Sequence, residues 1–108
     1  MPGPESVLVN NIRKAIIARY PSAWVFKVVG TPQQESGIPD LLTLIEGHLF
    51  GLEVKARRAG ESEESARGRA TPLQLAQLDR LRAAGATAAV VLTAGEALDL
   101  IAATLAKK

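Results

Sequence analysis

Apolar positions along the chain change their period several times, and each change marks an element. From Glu5 to Arg19, the positions Leu8, Ile12, Ala15, Ile16 and Arg19 recur at helical spacing, which predicts an amphipathic helix. Pro21 disfavours helical geometry at Tyr20 and ends it. Ala23 to Val29 alternates instead, with Trp24, Phe26 and Val28 on one face and Val25, Lys27 and Val29 on the other. Its aromatic and β-branched content reads as a strand. Gly30 to Pro39 (GTPQQESGIP) is a loop by its turn chemistry. Asp40 to Ile45 and Leu49 to Lys55 are two short strands around Glu46-Gly47-His48, a hairpin spacing. Ala56 to Ala70 has many charges and no apolar period, so a long exposed loop is expected there, functional or mobile.

Thr71-Pro72-Leu73-Gln74 opens the next helix, with Thr71 as N-cap, Pro72 in the first turn and Gln74 completing a capping box. It runs to about Ala84 on Leu75, Leu78 and Leu81, and Gly85 is placed to end it. Thr87 to Thr93 is a short apolar strand expected to be buried on both faces. Thr93 and Glu96 form a second capping-box pattern ahead of a last helix with a stripe of Leu98, Ile101, Ala102 and Leu105. Lys107 and Lys108 suit its C-terminal dipole end. The order α-β-β-β-α-β-α predicts an α/β fold of two or three layers around a mixed four-stranded sheet. Leu49 to Thr93 should form a right-handed parallel crossover.

Composition narrows the function classes. The 108 residues fit one domain, 1–108, and 47% apolar residues suffice for one core. No run of 18 apolar residues occurs, so no membrane span is expected. Met1 to Ser6 lacks the pattern of a secretory leader. With no cysteine, thiolate zinc sites and disulfides are excluded, which fits a cytoplasmic protein. The single histidine, His48, rules out a His-rich metal site and reads as an exposed turn residue without a role. Any chemistry must rest on carboxylates, lysine and arginine.

Glu53 and Lys55 alternate onto one face of their strand. A Glu46-Gly47 turn would set Asp40 opposite Glu53, whereas a Gly47-His48 turn would set it opposite Lys55. Either register gathers all three on one face, with facing Cβ atoms about 5 Å apart. Two carboxylates so close repel unless something intervenes. A hard cation such as Mg²⁺ does so, and Lys55 can orient a water or stabilise charge on a phosphate. The combination suits metal-assisted phosphodiester hydrolysis. An E-x-K pair is ordinarily a sheet-surface charge pair, but here the strand around it is otherwise apolar.

Gly37-Ile38-Pro39-Asp40, followed after the hairpin by Glu53-Val54-Lys55, resembles the signature of the PD-(D/E)XK nuclease superfamily, whose restriction-endonuclease-like αβββαβ core the element order matches; the last helix is extra. More narrowly, with Glu5 opening the first helix and Thr71-Pro72-Leu73-Gln74 opening the second, the chain resembles the VRR-NUC family. The resemblance spans Glu5 to about Thr93. It implies a metal-dependent DNA endonuclease with Mg²⁺, for which Mn²⁺ can substitute. It further implies a metal held by Asp40, Glu53, the Val54 carbonyl and Glu5, with Lys55 and Gln74 at the active site. Glu5 also has an ordinary role at a helix start, and Gln74 one in the cap.

Lys27, Arg57, Arg58, Arg67 and Arg69 are candidate phosphate contacts, with Arg57 and Arg58 the better placed after the catalytic strand. Standalone relatives resemble Holliday junction resolvases acting as homodimers in DNA repair and recombination. The resemblance therefore implies branched or junction DNA as partner and a homodimer; the host, bacterial or phage, stays open, and the sequence itself offers Trp24 and Phe26 or the last helix as apolar contact. Alternatives are a nicking or flap nuclease, a restriction or repair subunit, or a non-catalytic DNA-binding module that keeps the fold.

Overall fold

In the computed structural model, which describes residues 3–108, the elements are α1 (Pro4–Arg19), β1 (Trp24–Lys27), β2 (Leu41–Ile45), β3 (His48–Val54), α2 (Glu63–Arg67), α3 (Pro72–Ala83), β4 (Thr87–Val91) and α4 (Ala94–Ala106). Met1 and Pro2, part of the stretch read for a leader, lie outside the described residues. The four strands form one sheet in the order β1-β2-β3-β4, with β1, β2 and β3 antiparallel and β4 parallel to β3. This is the mixed sheet that the element order predicts. Among the described residues no helix is long and apolar enough to cross a membrane.

Register follows from the turn between β2 and β3. Ile45 faces His48, so Glu46 and Gly47 are the two turn residues, and both hold positive φ (50° and 78°). That is the backbone a two-residue hairpin of matching twist demands, and glycine adopts it without strain. Alternation then assigns the faces. Leu41, Thr43, Ile45, Phe50, Leu52 and Val54 point one way, where Ile12, Ile16, Ala97 and Ile101 of α1 and α4 meet them in the core. Each fully buried large side chain in this layer contributes about 1.5–3 kcal/mol. The other face carries Gly51 and Glu53, and α3 covers it from β3 to β4. Leu81 of α3 lies over Gly51, its Cδ1 only 2.7 Å from the position a Cβ would take. Three layers result.

Several local expectations need correction. Val9 joins Ile12 and Ile16 as the fully buried stripe of α1, with Leu8 partly buried against the same core. The segment 56–70 is not a bare loop. Ser62 accepts a hydrogen bond from Ser65 N at 3.1 Å and caps α2, while Ala66 and Ala70 are buried. Ser62 followed by Glu63 and Glu64, with Arg67 in the last turn, was the legible signal. At α4 only half of the capping box forms: Thr93 Oγ1 accepts from Glu96 N, but the Glu96 carboxylate accepts from Leu92 N and pairs with Arg67. β4 is only partly buried. His48 is no idle turn residue. It opens β3 half-buried, with Nε2 2.8 Å from Thr87 Oγ1 and its ring edge-on to Phe50 at 4.9 Å.

Gly37 joins the loop before β2 to α3. Its φ is +83°, and an added Cβ would lie 2.6 Å from the backbone oxygen of Leu73. Both the conformation and the space exclude a side chain. Gly37→Ala should therefore cost about 2 kcal/mol or more, read as a lowered midpoint in urea unfolding. The same substitution at Gly30, which has open space and no unusual φ, should change the midpoint little.

Candidate active site

Leu41 pairs with Leu52 at the end of the β2–β3 ladder, so the next position outward sets Asp40 beside Glu53. Of the two registers open to the sequence, this is the one given by the Glu46-Gly47 turn. Asp40 then replaces the missing strand partner with its side chain: Oδ2 accepts a hydrogen bond from Val54 N at 2.8 Å. Lys55 N is bonded to Val91 O at 3.1 Å, which extends the parallel pairing beyond Val54. Glu53 and Lys55 are thus rooted in the central strand, and both are almost wholly buried, at 2% and 8% exposed. Their charges meet, Lys55 Nζ lying 3.4 Å from Glu53 Oε2.

Two carboxylates and one ammonium in this small volume leave one negative charge uncompensated. Burial, followed by the charge of Asp40, pushes the Glu53 carboxyl up from 4.5 to about 8 despite the help of Lys55. Burial also raises Asp40; the Val54 N–H and Lys55 oppose this, and Glu5 adds to it. Glu53 Oε1 is buried without a hydrogen-bond partner. Such an atom is costly unless a proton or a cation uses it.

The donor set fits a small hard dication. It offers two neighbouring carboxylates: Glu53, buried with one oxygen free, and Asp40, half-buried and lining clefts open to water. Among the described residues no group of three or more His, Cys, Asp or Glu side chains converges on one point. A cation here would complete its shell with backbone oxygen, water and substrate, as Mg²⁺ commonly does.

Asp40 stands between two clefts. One, of about 450 Å³, reaches Glu5, Ser6 and Lys27; the other, of about 480 Å³, runs under the loop from Gly30 to Gly37 as far as Gln74. Glu5 lines the first of these clefts with Asp40. Its Oε2 accepts from Arg69 Nη1 at 3.1 Å and from Ala56 N at 3.4 Å. Gln74 makes the full capping box, its Oε1 accepting from Thr71 N at 2.9 Å and its N–H bonded to Thr71 Oγ1 at 3.1 Å. Its side-chain carbonyl is therefore committed to the helix start, and the amide nitrogen carries what remains for the cleft.

The basic candidates divide. Arg69 bonds to both oxygens of Glu61, to Glu5 and to the Ala56 carbonyl, and Arg67 bonds to Glu96 and the Val90 carbonyl. Their guanidinium groups hold the protein together. With Arg69 and the Arg58 N–H upon it, Glu61 is held down to about 2. Arg57 donates to Glu61 O at 2.7 Å and Lys27 to Asn10 Oδ1 at 3.4 Å, both at the surface, and Arg58 is exposed. Arg69 as an organiser of the site was not legible in the sequence, because its partners lie 8 to 64 positions away.

No protein-family model and no curated protein matches the chain. A solved structure described as "VRR_NUC domain" is similar to it, at 27% sequence identity and a TM-score of 0.59, covering 85% of this chain and 91% of that one. The likeness bears out the family resemblance and the fold read from the sequence.

The pH dependence of stability follows from Glu53. Its folded value lies above its unfolded one, so the proton favours the folded state: that stabilisation is complete below about pH 4.5 and is lost as pH rises through about 8. In a chelator, the melting temperature should fall between pH 5 and pH 9. Glu53→Gln, which mimics the protonated group and leaves Asp40 to Lys55, should flatten that fall and raise stability at pH 9 by a few kcal/mol.

Proposed function

We propose that this VRR-NUC-type chain is a divalent-metal-dependent DNA endonuclease acting on branched DNA. The observation that carries the reading is half-buried Asp40 set beside buried Glu53, with one Glu53 oxygen unpartnered and Lys55 3.4 Å from the other. Folding such a cluster costs stability, and a cation that uses the free oxygen is a reason to keep it. Asp40 and Glu53, with the Val54 carbonyl, would hold Mg²⁺ or Mn²⁺, and Glu5 adds negative charge at the rim. The cation would supply an activated water and a polarised phosphodiester.

The remaining roles belong to the chain's own groups. Lys55, paired with Glu53, orients the attacking water and offsets charge developing on the phosphate. The Gln74 amide nitrogen approaches from the start of α3. Arg57 and Arg58 follow Lys55 directly and engage the DNA backbone as it leaves the cleft. A chain of this size has little surface to grip a four-way junction, and two symmetric cuts call for two sites. A homodimer that leaves the clefts open meets both needs.

The test is purified protein with Mg²⁺ against four-way junction, flap, splayed and linear duplex DNA. Cleavage should favour branched forms and vanish in Asp40→Asn and Glu53→Gln with DNA binding kept; near-normal turnover in either variant refutes the site. Lys55→Ala should lower the single-turnover rate at least a hundredfold with little change in affinity. Arg57→Ala with Arg58→Ala should instead weaken binding and flatten its salt dependence. Light scattering of the junction complex should report two protein copies; a bound monomer that only nicks would exclude the resolvase form and leave the chemistry standing.

A further inference from the structure

The sheet face that carries the acid pair continues beyond it. Trp24, Phe26 and Val28 alternate onto the same face as Asp40 and Glu53, and Val28 N donates to Asp40 O at 2.9 Å. From Val28, Phe26 is one step of roughly 7 Å along the strand and Trp24 a second. The two rings lie parallel, 4° apart in plane with centroids at 5.6 Å. α3 packs on β3 and β4, and over β1 the rings remain 54% and 49% exposed. Leu44, opposite Trp24 on β2, is exposed too. Large aromatics are not left half in water on a sheet face without cost.

The back of the same strand is basic. Lys27 reaches Asn10 of α1, and helical spacing puts Arg13 and Lys14 on Asn10's side of that helix, all of them exposed. After Glu5, α1 carries Arg13, Lys14 and Arg19 and no further acid. Strand β1 therefore separates a pair of parallel aromatic rings from a row of cations, and its far end meets the acid pair.

We infer that β1 is a binding edge for unpaired nucleotides next to the scissile phosphate, with bases stacking on Trp24 and Phe26 and phosphates lying along Lys27, Arg13 and Lys14. The inference rests on the nuclease reading above and gives it a substrate feature: a single-stranded segment, as found at a flap or an opened junction. Stacking on rings and charge along a backbone are the two interactions that hold single strands without regard to sequence. A second copy of the chain fits the same edge poorly. A two-fold contact over the rings would cover the sheet face that runs on to Asp40 and roof the cleft that the substrate must enter.

Trp24 is the chain's only tryptophan, so its emission reports this edge alone. The test is a fluorescence titration of the full chain, in chelator so that nothing is cut, with a thymidine oligonucleotide and with a blunt duplex of equal length. The oligonucleotide should quench Trp24 by half or more, and the duplex should not. Trp24→Ala, read by anisotropy of labelled DNA, should lower the ratio of single-strand to duplex affinity about tenfold, with Trp24→Phe restoring most of it. Both substitutions are at an exposed ring, and circular dichroism should be unchanged. Saturating oligonucleotide without quenching overturns the inference. So does a blue shift that grows with protein concentration alone, which would assign the rings to self-association. Neither result bears on cleavage, which Asp40→Asn tests separately.

Discussion

The Glu46-Gly47 turn decides where every charged group of the site lies. Two residues in the left-handed region close the β2–β3 hairpin, and side chains alternate from there. A slip of one residue would move Glu53 and Lys55 into the layer now filled by Phe50, Leu52 and Val54, among the apolar side chains of α1 and α4. The turn thus fixes both the core and the cluster of Asp40, Glu53 and Lys55. Neither can be altered without the other.

That cluster is held against its own electrostatics. At neutral pH Glu53 must take up a proton to stay buried beside Asp40, which lowers stability, and the surrounding framework offsets this. The ladder between β3 and β4 anchors Glu53 and Lys55 by backbone on one side, and on the other the Val54 N–H holds Asp40. Gly37 lets the loop before β2 touch the backbone of α3, which brings Gln74 to the cleft from the other side. The site is built from rigid strands and from a helix start, and it cannot relax by moving apart.

Around it runs a ring of ion pairs that joins elements distant in sequence. Arg69 connects Glu61, the Ala56 carbonyl and Glu5, so the segment after β3 is tied to the start of α1. Half-exposed pairs of this kind add little individually. Their effect here is geometric: they hold the outer wall of the cleft beside Lys55. The cations left over, on β1, on α1 and at Arg57 and Arg58, face solvent.

By itself the sequence determined the order of every element but α2, the two helix caps at Thr71 and Thr93, the hairpin, and the sharing of one face by Asp40, Glu53 and Lys55. These depend on local periods and turn chemistry, which are legible within a few residues. Between the two hairpin registers only the folded chain chose, because the φ angles of Glu46 and Gly47 answer to strand twist. The helix α2 shows itself in the sequence only through its end signals, Ser62, Glu63, Glu64 and Arg67, because charges dominate its local pattern and the burial of Ala66 that holds it is tertiary. The pairing of Arg69 with Glu5 and Glu61, and of Arg67 with Glu96, was likewise decided by tertiary structure. A guanidinium pairs with whatever carboxylate or carbonyl packing brings within 3 Å or so, and separation along the chain carries no information about that.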